Sequence, residues 1–184
     1  MDINEHYRRV ADSFGHIVAG VGDWTATTPC EQWDARALTT HVVDTHRRVL
    51  GRLPGNPPEP PVLAADADLA HAWAAVRTSL ETALASDEDT QVESFGGPAP
   101  FGQVVDTLLC ADTLLHTWDL ARASDQDDTL DLACVASAQS FLTPMGDMMR
   151  MPGGFGEAVT VADDASAQDR LVGFSGRNPA PSLT

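Results

Sequence analysis

FGQVVDTLLCADTLLHTWDLARA, residues 101–123, is the stretch on which the reading of the fold turns. It is long enough for one helix of about six turns. At ~100° per residue, Phe101, Val104, Val105, Leu108 and Leu115 form an apolar face. Gln103, Asp106, Thr107, Cys110, Thr113 and Thr117 fall on the opposite, polar face. Asp112, His116 and Asp119 break the pattern, because they lie on the apolar side. A carboxylate turned toward a core costs several kcal/mol, on the order of 3–5, unless it is paired or binds a metal. Asp112 and His116 are spaced i, i+4, so both project from one face a turn apart. That spacing suits two ligands of one divalent cation. It equally suits a buried Asp–His hydrogen bond that fixes the packing of the helix, and the helix alone does not choose between them.

On either side of this stretch the chain repeats the amphipathic theme. Residues 3–21 carry Ile3, Tyr7, Val10, Phe14, Ile17, Val18 and Val21 at helical spacing, with His6 and His16 as surface or boundary histidines. Asp34 is a plausible N-cap for a helix over residues 35–50, whose buried face is Leu38, Val42 and Val49. His41 and His46 sit on this helix five residues apart, roughly 140° around it, so a regular helix cannot aim both at one ion. Residues 51–61, GRLPGNPPEPP, are an extended loop. A third helix is expected over residues 66–85, capped by Asp66 or Asp68, with Leu69, Trp73, Val76, Leu80 and Leu84 inward and His71 solvated. Val92 and Phe95 mark a short extended segment in the long connection before residue 101.

Downstream, residues 130–142 form a small-residue helix. The Met-rich run from residue 145 reads as flexible apolar filler or as a lining for an apolar substrate. Residues 157–162 alternate weakly and are expected to be extended, and Ser166 with Asp169 caps a last helix over residues 167–174. Three or four long amphipathic segments predict an all-α helix bundle with extra short C-terminal elements. All 184 residues are read as a single domain.

Composition excludes several functions. A net charge of −16 repels phosphate backbones and anionic lipids, so neither nucleic acid nor a membrane surface is an expected partner. No apolar run approaches the ~18 residues of a membrane span, and the polar start MDINEHYRRV is not a secretory signal. Cytoplasmic location is the default expectation. The three cysteines, Cys30, Cys110 and Cys134, show no CxxC pair and read as buried free thiols.

Three motifs in order carry a resemblance. TPCEQWDARALTTHVV at 28–43, DTLLHTWDLARA at 112–123 and FGEAVTVADDASAQDRLVGFSGRNP at 155–179 resemble a group of actinobacterial metal-binding proteins of the DinB-like superfamily. That group is related to the N-terminal domain of mycothiol-dependent maleylpyruvate isomerase. The resemblance implies a DinB-like four-helix bundle with a long connection before the fourth helix. It also implies a divalent metal, zinc first and nickel as the alternative, held by His41, Asp112 and His116. The isomerases carry Glu where this chain has Asp112, whose shorter side chain still offers an oxygen ligand.

Three protein ligands leave an open position, the catalytic rather than the structural arrangement. The implied activity is a metal-dependent transferase or isomerase-like reaction in which mycothiol or a similar small thiol meets an electrophile. The isomerase itself has an additional C-terminal domain, so its specific reaction is not expected here. The alternative is a non-catalytic metal-binding or stress-related bundle protein. Asp119 and Arg122, spaced i, i+3, are read as a helix salt bridge or as a contact orienting a ligand. Trp33 and Trp118 are read as core aromatics. A homodimer through exposed helix faces is compatible with this pattern, although no isolated apolar stripe requires one.

Overall fold

The computed structural model describes residues 1–30, 33–94, 96–150 and 154–180. Phe95, Met151 and Glu31–Gln32 of the first motif therefore lie outside the described residues. The main helices are α1 (Ile3–Ala19), α2 (Ala35–Leu50), α3 (Leu69–Asp87) and α5 (Cys110–Ala123). Each of α1 and α2 packs on both α3 and α5, which sets α1 and α2 on opposite corners of a four-helix bundle. α6 (Leu132–Leu142) covers α5, and α7 (Ala167–Phe174) covers α6. Among the described residues the fold is all-α as expected, apart from an isolated bridge between Thr27 and Asp34 and a tiny antiparallel strand pair in the connection before residue 101. There β1 (Gln91–Val92) pairs with β2 (Ala99–Pro100), Gln91 opposite Pro100 and Val92 opposite Ala99. No helix among the described residues is long and apolar enough to cross a membrane.

The helix ends follow local chemistry. Asp34 accepts from the Ala37 amide at 2.7 Å and starts α2 where the sequence places it. Asp68, not Asp66, caps α3, so that helix begins at Leu69. Asp131 caps α6 through the Ala133 and Cys134 amides, which moves its start to Leu132. Ser166 accepts from the Asp169 amide at 3.0 Å and opens α7. Each such cap contributes about 1 kcal/mol. The core is built from the stripes read above, with Phe14 edge-on to Trp73 at a centroid distance of 4.7 Å. Full burial of an aromatic of this kind contributes about 1.5–3 kcal/mol.

The stretch 101–123 departs from a regular helix. α4 (Phe101–Val104) runs into a π turn over Val105–Leu109 before α5 begins. A π turn holds an extra residue and shifts the phase of the helix beyond it. Leu109 rather than Leu108 enters the core, and Cys110, Thr113 and Thr117, expected on the polar face, are buried because α5 packs against α1, α2 and also α6. The two threonines satisfy their hydroxyls along the helix, donating to the Leu109 and Thr113 carbonyls at 2.8 Å. His6, expected near the surface, is also buried and meets Asp106 Oδ1 of the π turn through Nδ1 at 2.7 Å.

After α6 a 3₁₀ segment, Thr143–Met149, leads away, and Met149 packs on the core as the filler reading expects. Residues 157–162 form no strand, but Val159 donates to the Gly173 carbonyl at 2.9 Å.

Candidate metal centre

The edge where α2 faces α5 gathers three of the residues singled out above. His41 comes from the first half of α2, and Asp112 and His116 come from successive turns of α5. Asp112 Oδ1 stands 3.5 Å from His41 Nε2 and 3.5 Å from His116 Nε2. One ligand atom from each residue falls in a set whose members lie within 4.8 Å of one another. The two imidazoles are edge to face, with centroids 5.0 Å apart. Trp33 closes one side, 4.5 Å from the His41 ring and 5.6 Å from the His116 ring. Trp33 is half-buried, packing on the rim of the core and at the same time walling the site; Trp118 is buried as expected.

These distances bear on the two readings of the pair. A charge-assisted bond between imidazole and carboxylate closes to about 2.7–2.9 Å, and 3.5 Å is at the outer limit for any hydrogen bond. Two ligands about 2.0–2.1 Å from a tetrahedral ion stand about 3.3 Å apart. Asp112 Oδ2 is buried and has no hydrogen-bond partner among the described residues. The donor chemistry, the spacing and the orphaned oxygen fit a divalent cation better than a self-sufficient hydrogen-bonded pair.

His116 makes its short contact elsewhere. Its Nδ1 lies 2.9 Å from Asp119 Oδ2, which leaves Nε2 facing Asp112. Asp119 is wholly buried and is held by Arg177 through two bonds, Nε to Oδ1 at 2.8 Å and Nη2 to Oδ2 at 2.7 Å. Asp119 therefore orients a candidate ligand, and the expected salt bridge to Arg122 does not form. Arg122 instead donates to Asp128 and to the Pro179 and Ala180 carbonyls, stacked over Trp118 at 4.7 Å.

The sequence reading missed Arg177, although it lies in the FSGR of the third motif. The signal was the pair of glycines that deliver it. A Cβ on Gly173 would meet the Val159 carbonyl oxygen at 2.8 Å. Gly176 has φ +88°, and a Cβ there would lie 2.8 Å from the Gly156 backbone.

Electrostatics follow from this arrangement. Burial opposes ionisation of Asp112, yet His116 and His41 hold its carboxyl well below the usual carboxylate range. Burial also opposes charging of His116, but Asp112 and Asp119 outweigh it and raise the imidazole to about 9. Burial likewise works against Asp119 as a carboxylate, and Arg177 more than compensates. Cys30 is half-buried, with Sγ 3.2 Å from Arg177 Nη2. Burial and then Asp119 push its thiol up to about 11.

His46 points the other way, as the 140° separation required. It is fully buried between Tyr7 and Trp73, and its Nδ1 donates to the Val42 carbonyl at 2.8 Å. Burial lowers it to about 4. A groove of about 950 Å³ between α2, α3 and the proline-rich loop contains none of the three donors.

The model of the mycothiol maleylpyruvate isomerase N-terminal domain family matches residues 7–121. The chain belongs to this family. Two uncharacterised Mycobacterium tuberculosis proteins, from strains CDC 1551 and H37Rv, are each 30% identical over 184 residues, covering 96% of this chain and 98% of the relative. No solved structure matches the chain. As a member of the mycothiol maleylpyruvate isomerase N-terminal domain family, the chain places His41, Asp112, His116 and Asp119 inside the matched region and Arg177 outside it.

Proposed function

We propose that this protein binds one divalent cation, zinc first and nickel as the alternative, through His41, Asp112 and His116. In this reading it acts as a metal-dependent transferase or isomerase-like enzyme on a small thiol of the mycothiol type and an electrophile. The observation that carries it is the meeting of three N/O donors from two helices around a carboxylate with an orphaned, buried oxygen. The family supports the thiol.

A divalent cation held there supplies Lewis acidity that keeps a coordinating thiol ionised at neutral pH. The chain's residues prepare that position. Asp119 accepts the Nδ1–H of His116 and so leaves Nε2 as the nitrogen that faces the metal position beside Asp112. Trp33 fixes both donor imidazoles by packing on their rings. His41 and Asp112 each keep 26% of their side chains exposed, so a small thiol can reach the donors from solvent. His41, Asp112 and His116 would hold the ion, and with three protein donors a position would stay open to the thiol.

Elemental analysis tests the proposal on protein purified without chelator or a histidine tag. About one equivalent of zinc or nickel is expected in wild type and none in His116→Ala. A folded wild type empty of metal overturns it. With metal established, consumption of mycothiol and an electrophile that stops on adding chelator supports the enzyme. Metal without turnover across a panel of electrophiles favours the non-catalytic alternative.

A further inference from the structure

The His116 ring faces two donor sets, and only one of them is open. On the Nε2 side stand Asp112 and His41. On the Nδ1 side, Cys30 and Asp119 each bring a ligand atom within 4.8 Å of His116 and of one another. The inner set meets the same 4.8 Å bound as the outer one. A thiolate, an imidazole and a carboxylate are all ligand types that zinc accepts, and the sulfur makes this the softer site. A metal drawn there would be held mostly among buried groups, Asp119 at 0% and His116 at 5% exposure, with Cys30 half-buried beside them.

Arg177 stands in that inner set. Its guanidinium bonds both oxygens of Asp119, and Nη2 is 3.2 Å from Cys30 Sγ. The Nη1 group is tied to the Ser175 carbonyl at 3.2 Å. Arginine keeps its charge at every working pH, so this cation cannot leave by deprotonation. Its backbone is locked by the positive φ of Gly176 and the close Gly156 contact, which no other residue tolerates without movement.

We propose that Arg177 is a resident cation that fills the Cys30–Asp119–His116 donor set and thereby confines metal to His41, Asp112 and the Nε2 side of His116. Arg177 is on this account a specificity-determining residue lying beyond the region that the family model matches. The assignment of the outer set rests on the metal-binding reading above; the closure of the inner set does not.

Cobalt(II) is the probe, because a cobalt–thiolate bond adds a near-ultraviolet charge-transfer band that N/O ligation lacks. Full-length wild type, Cys30→Ser, Arg177→Met, Arg177→Gln and the double variant Arg177→Met/Cys30→Ser are titrated and their spectra recorded. Circular dichroism shows which variants fold, and the Gln variant, which can still bond Asp119, backs up the Met variant.

Wild type and Cys30→Ser are expected to give the same visible cobalt spectrum with no thiolate band. The Arg177 variants are expected to gain that band, and the double variant to lose it. A thiolate band in wild type that disappears in Cys30→Ser overturns the proposal, and that comparison needs no Arg177 variant to fold. A folded Arg177 variant without the band overturns it as well. If wild type takes up no cobalt but the Arg177 variants show the band, the outer-site reading fails and the inner closure stands.

Discussion

His116 and His46 are the same side chain at nearly the same depth, 5% and 0% exposed, and their imidazoles titrate in opposite directions. Burial works against the charged ring in both. Around His116 two carboxylates, Asp112 and Asp119, reverse it and lift the ring to about 9. Around His46 stand Tyr7, Trp73 and the Val42 carbonyl, and the ring falls to about 4. Depth alone says nothing about a buried histidine; the charges that share its pocket decide its state. The region around His116 is arranged to keep a proton or a cation, and the region around His46 to exclude one.

The largest effect comes from removing the charge that separates the two sites. Asp119→Ala leaves the Arg177 guanidinium buried and unpaired, at an expected cost of about 3–5 kcal/mol in denaturant unfolding of the metal-free protein. The His116 resonance should then titrate below about 9, toward ordinary histidine behaviour. An unchanged stability would show that Arg177 finds another partner.

Next is the pH dependence of stability without metal. His116, raised when folded, contributes stability that is full below pH 6.5 and lost as pH rises through about 9. His46 is lowered when folded, so its contribution is present above pH 6.5 and lost as pH falls to about 4. Each limb is worth on the order of 3 kcal/mol. Stability should therefore peak near pH 6.5, with His46→Leu flattening the acid limb and His116→Ala the alkaline limb. A profile that keeps its acid limb in His46→Leu would assign that limb elsewhere.

The smallest effect sharpens the comparison. Trp33→Leu removes an aromatic contact from His41 and His116 and none from His46. It should cost about 0.5–1.5 kcal/mol, read as several-fold weaker cobalt binding, and leave the acid limb of stability in place.

Much of the fold was legible in the sequence, and so was the nearness of two of the candidate donors. The stripes Leu38, Val42, Val49 and Leu69, Trp73, Leu80 are core, because a 3.6-residue period needs only local spacing to be read. Asp34 and Ser166 mark helix starts for the same local reason. The i, i+4 spacing of Asp112 and His116 put them on one face, and His41, which only the family resemblance singled out, lies beside them. What periodicity could not give was partnership across the fold. Arg177 reaches Asp119 over 58 residues of chain, and Cys30 reaches Arg177 over 147. His6 meets Asp106 over 100, so its burial was equally invisible locally. The π turn was missed because a fixed 100° step admits no extra residue.

That π turn has a consequence for how this helix can change length. An extra residue taken up inside a helix is how an insertion is absorbed without a loop. Deleting one residue from Val105–Leu109 would restore a regular helix and swing everything after it by roughly 100° relative to α4. Either Phe101 and Val104 would then leave the core or Asp112 and His116 would turn away from His41, since the two halves could no longer keep their present facings together. The segment between the anchoring aromatic and the donor pair is therefore counted in whole residues, and a relative with one fewer there needs its donors moved along the chain to match.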